Sequence, residues 1–498
     1  MESTLTYIKQ ALIVLSLAFT ISCTASDFPF KSSNPWKDDY RDISGMEHYK
    51  NWGTYNVHDP SCLKIGDTYY MYSTDAIFRE RRRNEGEKNI PIGFIQVRTS
   101  KDLVHWNFAG WAFPEIPTEA KEWVLSHSQN KGATNIWAPY ILHYKNKFRL
   151  YYCVSAFGLP TSYIGLAESD SPLGPWIQKG HVVKTQQNDK MNAIDPTVVT
   201  DSVTGKTWMY YGSFFGGLYV VELNPENGLT RVPDDKGESI ARRANSKNDN
   251  IEAAEIIYNP ALKKYFLFMS YDPLMTTYNV RAGRADKPEG PFTDYFGKDL
   301  RDTINHFPIL THPYKFDHHS GWAGTGHCSV FKNEKGDFFM AFQSRLSPEN
   351  QLMDLHVREV KWTTDGWPVI SPERFTASKQ KVIRKEDLVG NWEIIRIQDV
   401  KSQRKTEAGQ ITAGQDQLYR SEANVSRHIN LLKTGEFNQD LTGKWEFSDR
   451  EGLTLILKNE VIKDLVVFVG HDWENETETI LFTGLDPEGR SFWGKKVR

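Results

Sequence analysis

The chain has 498 residues, 39% apolar and 25% charged, a globular balance that excludes a disordered or collagen-like protein. Its formal net charge of -3 at pH 7 gives no broad positive field, so nucleic-acid binding is not expected. Aromatic residues reach 13%, with 15 Trp; large flat rings suit a core and also stack on the C–H faces of sugars.

In chain order, the first element is an export signal. Lys9 gives a weak basic start, and residues 11–21 are an apolar run too short to span a bilayer. The run ends at Ser22-Cys23, which resembles a bacterial lipoprotein cleavage site, although Thr20 stands where such sites usually carry Leu. Residues 1–22 therefore read as a signal peptide, Cys23 as a lipidated first residue and 23–48 as a linker. That predicts a protein anchored by lipid at the bacterial outer membrane or cell surface, with periplasmic or free extracellular placement as alternatives. The mixed charges of residues 79–88 read as a solvated loop. Cys62, Cys153 and Cys328 are odd in number, lack metal spacing and read as buried small hydrophobes.

From residue 49 onward one phrase recurs five times. A polar or aromatic residue leads a short apolar strand, and a turn follows. An aromatic-rich strand then closes on Ser. The leading residues are Asp59, Trp137, Asp195, Glu252 and His327; the closing ones are Ser73, Ser155, Ser213, Ser270 and Ser344. Each phrase reads as a β-hairpin. The leaders are spaced by 78, 58, 57 and 75 residues, more than the about 40–50 of a minimal four-stranded propeller blade, which leaves room for loops. No long, capped helical period interrupts the region. The expected fold is all-β: a five-bladed β-propeller over residues 49–378, whose closed ring leaves few sheet edges exposed.

In such a ring the five leaders converge at one end of the central channel. Three of them are acids, and buried carboxylates are costly unless paired or hydrogen-bonded. Their clustering points to chemistry. Glycoside hydrolysis needs one carboxyl group to protonate the leaving oxygen and another to act at the anomeric carbon. A third can tune the donor. Asp59, Asp195 and Glu252 supply that set. Taken singly, Asp59 and Asp195 also fit turns, since each precedes proline.

The ordered motifs His58-Asp59-Pro60, Asn135-Ile136-Trp137-Ala138-Pro139, Asn192-Ala193-Ile194-Asp195-Pro196, Ile251-Glu252-Ala253-Ala254 and Gly326-His327-Cys328-Ser329-Val330 carry a resemblance. With Leu355-His356-Val357-Arg358 and Asp365-Gly366-Trp367-Pro368 they make the sequence similar to glycoside hydrolase family 43, and within it to endo-acting α-1,5-arabinanases, over roughly residues 50–375. The resemblance implies hydrolysis of arabinan with inversion. It makes Asp59 the general base, Glu252 the general acid, and Asp195 the residue that orients Glu252 and raises its pKa. It also implies a calcium-like ion (Ca2+) near His327, held largely through water; Cys328 departs from the Asn usual at that point. Glu255 departs from a position that is usually apolar or aromatic, and it competes with Glu252 as the acid. Trp137, Phe214 and Phe215 are candidate sugar-binding residues, and Trp322 is a looser one; core packing is the alternative for each.

Past the polar residues 379–387, residues 388–498 form a second β-rich unit, expected to be a small barrel or sandwich. It resembles the C-terminal domain that accompanies many extracellular arabinanases, and supports the cleft or binds carbohydrate. The sequence leaves an exo-acting α-L-arabinofuranosidase or β-xylosidase as the nearest rival. A non-catalytic glycan-binding propeller and an interaction scaffold are rivals of other classes. The expected partners are arabinan and arabino-oligosaccharides, and the expected state is a monomer.

Overall fold

A computed structural model of the chain describes residues 38, 40, 43–75, 93–243, 249–302, 305–347, 353–400, 423–448 and 452–497. The export signal, the lipidation motif at Cys23, most of the linker and the charged run 79–88 lie outside the described residues.

The recurring phrases become the two inner strands of each blade. Blade 1 runs His58–Ile65, Thr68–Thr74, Phe94–Ser100 and Asn107–Phe113, and blade 2 runs Trp137–Tyr144, Lys147–Ser155, Ser162–Ser169 and Ile177–Thr185. Blade 3 comprises Thr197–Thr200, Thr207–Tyr211, Leu218–Leu223 and Glu238–Ala241. Blade 4 has three strands, Ile251–Asn259, Lys264–Tyr271 and Asn279–Ala285. Blade 5 carries Trp322–Lys332, Phe338–Leu346, Asp354–Trp362 and Pro368–Ile370, with the short Tyr314–Lys315 alongside. All neighbours within a blade pair antiparallel, as meandering hairpins require.

Both faces of a blade are buried, because each faces another blade. Ile95, Ile141 and Tyr152 pack between blades 1 and 2, and Tyr151, Ile164 and Met209 between blades 2 and 3. Tyr210, Ile256 and Leu267 fill the next seam, Phe268, Val280 and Met340 the one after, and Met71, Phe339 and Leu355 close the ring. Cys62, Cys153 and Cys328 are free thiols inside these cores.

A circuit of side-chain hydrogen bonds joins the five innermost strands. Ile141 N donates to Ser61 Oγ at 3.1 Å, and Tyr140 OH donates to the Val198 carbonyl at 2.8 Å. Thr197 Oγ1 donates to Glu255 Oε2 at 2.9 Å, Val330 N to Glu255 Oε1 at 2.7 Å, and Cys62 N to Ser329 Oγ at 3.2 Å. Every seam is thus crossed once at the same depth. The ends of the ring are also tied by backbone: Val57 N donates to the Met353 carbonyl at 3.0 Å, and Leu355 N to the Thr54 carbonyl at 2.9 Å.

One element departs from the expected all-strand propeller. Residues Thr118–His127 form a helix between blades 1 and 2. Pro117 at its start offers no side-chain cap, and only Ala120 and Val124 are buried, so it lacks the start signal and broad apolar stripe that betray a helix in sequence.

The C-terminal unit is a closed eight-stranded barrel, from Gly390–Arg396 through Arg427–Leu431 to Thr477–Leu485 and Ser491–Lys496. Trp392, Phe437, Trp445, Leu455 and Phe482 pack together in one core cluster there. The barrel also completes blade 4. Ile309 bridges Arg281 on that blade's outer strand and, in parallel, Arg490 of the barrel. The edge strand is thereby covered rather than exposed.

Lys495 fastens the two units. Its ammonium is fully buried, 3.2 Å from Glu373 of the propeller side and 3.1 Å from Asp472 of the barrel, with Glu474 also in contact. Removing one partner of a buried ion cluster strands the others, a loss of about 3–5 kcal/mol. Lys495→Met is expected to lower unfolding stability by that order, read as a lower urea midpoint. An unchanged midpoint would mean the cluster contributes nothing to docking.

Candidate active site

The site is made by a backbone device at the start of each inner strand. Asp59, Ala138, Asp195, Ala253 and His327 have φ of 49°, 42°, 58°, 57° and 49°. Strand pairing slips at the same places, between His58 and Ser61, Trp137 and Tyr140, Glu252 and Glu255, and Gly326 and Cys328. Blade 3 differs only in that pairing begins at Thr197, after Asp195. Such bulges re-aim side chains that regular alternation would bury between blades. A left-handed non-glycine residue is unfavourable and persists where its surroundings over-determine it.

Those surroundings belong to the preceding blade. Ala138 N donates to Thr74 Oγ1 at 2.8 Å, and Ala253 N to Asp195 Oδ2 at 3.0 Å. His327 N donates to Ser270 Oγ at 2.9 Å, and Asp59 N to Gln343 Oε1 at 2.9 Å. The device also corrects the alignment of the repeat. Asp59, Asp195 and His327 are the left-handed residues themselves, whereas Trp137 and Glu252 precede theirs by one.

Asp59 Oδ1 lies 2.7 Å from His327 Nδ1 and 3.1 Å from His58 Nε2, and Oδ2 accepts from Thr74 Oγ1 at 2.8 Å. Burial raises this carboxyl, but the two imidazoles outweigh it and hold it well below the usual carboxylate range. Burial lowers His327, yet Asp59 and Asp195 bring it to about 9. Asp195 is raised, first by burial against the pull of His327, then by the charges of Glu252 and Asp59. Glu252 is also raised by burial, opposed by hydrogen bonds from Ser213 and Tyr278. The Ser213 bond measures 2.6 Å. One acid is therefore held ionised while two neighbours are pushed toward keeping a proton.

Glu255 is separate from this cluster in function as well as depth. Both its oxygens are committed to the inter-blade circuit, to Thr197 and Val330. Burial raises it to about 7. Its folded pKa exceeds the ordinary 4.5, so the stability it confers is complete below pH 4.5 and is lost as pH rises through 7. Glu255→Gln keeps an acceptor for Val330 N without the titration. The variant's melting temperature is expected to gain on the parent's between pH 5 and pH 8; a constant difference would refute the shift.

Among the aromatic candidates, Trp137 is half-buried and meets Phe157 edge-to-face, centroids 6.4 Å apart. Phe157, 59% exposed, was not singled out in sequence, because it sits in a loop outside the repeat. Phe214 and Phe215 are half-buried, both with positive φ, on a loop whose Phe214 N donates to the Ile251 carbonyl at 2.9 Å. That loop adjoins Glu252 through Ser213. Trp322 is 2% exposed and stacks on His319; it is a core residue, with no face for a sugar.

His327 stands among Asp59, Asp195 and Glu252. Among the described residues, one cluster of three side chains has metal-ligand spacing, and it lies elsewhere: Asp272, His312 and Asp399. Two of its acids already face guanidinium groups, Asp272 with Arg243 at 2.6 Å and Asp399 with Arg281 at 3.1 Å, which disfavours a cation there.

An ionised carboxylate beside two proton-bearing ones, on a five-bladed propeller, defines a glycoside hydrolase. The chain belongs to glycosyl hydrolases family 43: the family model matches residues 53–368, and that of a C-terminal lipocalin-like domain matches 372–494. It is 28% identical over 486 residues to an extracellular endo-α-(1→5)-L-arabinanase of Thermotoga petrophila, covering 89% of this chain and 93% of that one. It is 31% identical over 332 residues to an extracellular exo-α-(1→5)-L-arabinofuranosidase of Cellvibrio japonicus, covering 63% of this chain and 86% of the relative. A crystal structure of the T. petrophila endo-1,5-α-L-arabinanase superposes with a TM-score of 0.73 at 26% identity, over 90% of this chain and 99% of that one.

Proposed function

We propose that this protein is an extracellular arabinanase that cleaves internal α-1,5-L-arabinofuranosidic bonds with inversion. The observation that carries the reading is the division of labour among Asp59, Asp195 and Glu252. Asp59 is held ionised by His327 and His58 and serves as the base. It takes a proton from the water that attacks the anomeric carbon, while Glu252 gives its proton to the departing glycosidic oxygen. Asp195, bonded to the amide of Ala253 next to Glu252, positions the acid and keeps it protonated. Trp137, Phe157, Phe214 and Phe215 line the approach and stack on sugar. Relatives sharing both domains carry endo-arabinanase names, which supports internal cleavage over the exo alternative. Relatives labelled extracellular support secretion; a lipid anchor at Cys23 is the finer form of that reading. The barrel supports the cleft.

Calcium near His327 is part of the same reading. With Nδ1 given to Asp59, Nε2 is the nitrogen left for a hard cation, in the carboxylate–histidine–metal arrangement, and waters complete the shell. A bound cation supplies positive charge that stabilises three crowded carboxylates. Exhaustive dialysis against a chelator is expected to lower activity and to be reversed by Ca2+; full activity in protein free of metal by elemental analysis would remove the ion from the account.

Early products from linear arabinan test the function itself. A ladder of oligosaccharides supports internal cleavage, arabinose alone supports the exo reading, and no cleavage refutes both. Glu252→Gln is expected to lower kcat at least about a hundredfold with KM little changed; retained turnover would refute the acid assignment. The pH profile follows from the signs above. Depressed Asp59 puts the acidic limb below the ordinary carboxylate range, and the raised Asp195–Glu252 pair puts the alkaline limb above it. Asp195→Asn is expected to move the alkaline limb to lower pH, and an unmoved limb would show that Asp195 does not tune the acid.

A further inference from the structure

A second concave site lies on the rim between blades 2 and 3. It is a cavity of about 290 Å3 lined by Trp123, His181, Lys184, Asp189, Asp234 and Lys236 with their neighbours. Strand register shows which end of the blade it occupies. Trp137 pairs with Cys153, Ser155 with Ser162, and Ser162 with Thr185. Thr185 therefore stands at the same end of blade 2 as Trp137, on its outermost strand. Trp123 Nε1 donates to the Thr185 carbonyl at 3.2 Å, which pins the indole at that rim.

The wall of the cavity leads into the active site. Gln186 and Asp189 line it, and the same loop continues to Asp195, held on the way by Ala193 N donating to Thr185 Oγ1 at 3.1 Å. The Lys190 carbonyl abuts Gly216, where a Cβ would come within 1.8 Å of it. The loop is thus packed against the Phe214–Phe215 turn.

The chemistry of the lining selects a class of ligand. Lys236 pairs with Asp189 at 2.5 Å, and His181 lies 3.4 Å from Glu119 and 3.2 Å from Asp234. Charges compensated in pairs leave no strong field for a free ion. The ammonium and carboxylate groups still have donors and lone pairs to spare. Lys184 Nζ sits 4.7 Å from the Trp123 ring centroid, and His127 stacks on that ring at 3.8 Å, so the aromatic wall is braced. Hydroxyls that both donate and accept, on a ring with an apolar face, match this set.

We propose that the cavity is a distal saccharide subsite, which takes arabinofuranose units of the polymer away from the bond being cut. The proposal rests on the arabinanase reading above. It is tested in the full chain by comparing linear arabinan with arabinotetraose as substrates for Trp123→Ala and Lys236→Ala. KM for the polymer is expected to rise about five- to tenfold in each, the equivalent of one stacking or charged hydrogen-bond contact. kcat and KM for the tetraose are expected to stay at parental values. Lys236 is partly exposed, so its variant serves if loss of Trp123 impairs folding. Unchanged polymer KM in a folded variant overturns the subsite, as does an equal rise for both substrates. A parent that cuts neither substrate overturns the arabinanase reading together with the subsite, whereas a parent that cuts both isolates failure to the subsite.

Discussion

The active site depends on one constraint: each inner strand begins at a residue forced into the left-handed region. That conformation is unfavourable for Asp, Ala and His alike, and in four blades the amide is satisfied by a side chain of the preceding blade, Gln343, Thr74, Asp195 or Ser270. Blade order and site geometry are therefore the same fact. A propeller that closed in another register would lose both the hydrogen bonds and the convergence of Asp59, Asp195 and Glu252. Asp195 takes part twice, as a holder of the Ala253 amide and as a member of the acid cluster, so its replacement disturbs position and charge together.

Partner count decides which acid does what. Asp59 has two imidazoles and a hydroxyl on its oxygens, enough to overcome burial. Glu252 has the Ser213 hydroxyl and Tyr278, which do not. Identical chemistry at the carboxyl group thus yields an ionised base and a proton-bearing acid a few residues from the same channel axis. Glu255 shows the third outcome. Its oxygens are consumed by Thr197 and Val330, and a residue that looked like a rival acid in sequence is a strut across three blades.

The leading residues and the five-fold phrase were legible because chemistry and periodicity coincided: the same position of the repeat was polar each time, and short aromatic strands can pair in few ways. The offset of Trp137 and Glu252 was not legible, since a bulge depends on backbone pairing that side-chain alternation does not report. Phe157 was invisible because loops outside the repeat have no register to compare. The Thr118–His127 helix escaped for want of a cap and a wide apolar stripe. Lys495 looked like a terminal surface lysine; its burial follows from docking between two units that the sequence separates by more than a hundred residues.

The placement of the barrel follows from the incompleteness of blade 4. Three strands leave an open edge at Asn279–Ala285, and open edges invite mispairing. Residues near Ile309 cover part of it and are themselves paired to Arg490. Trp493 and Ile395 of the barrel enter the same apolar core as Phe268 and Met340. Blades 4 and 5 carry Glu252 and His327, the acid and the imidazole that charges the base. A domain with a closed, side-chain-packed barrel has no need of a ligand to explain its presence here, because it fixes the two blades on which proton transfer depends.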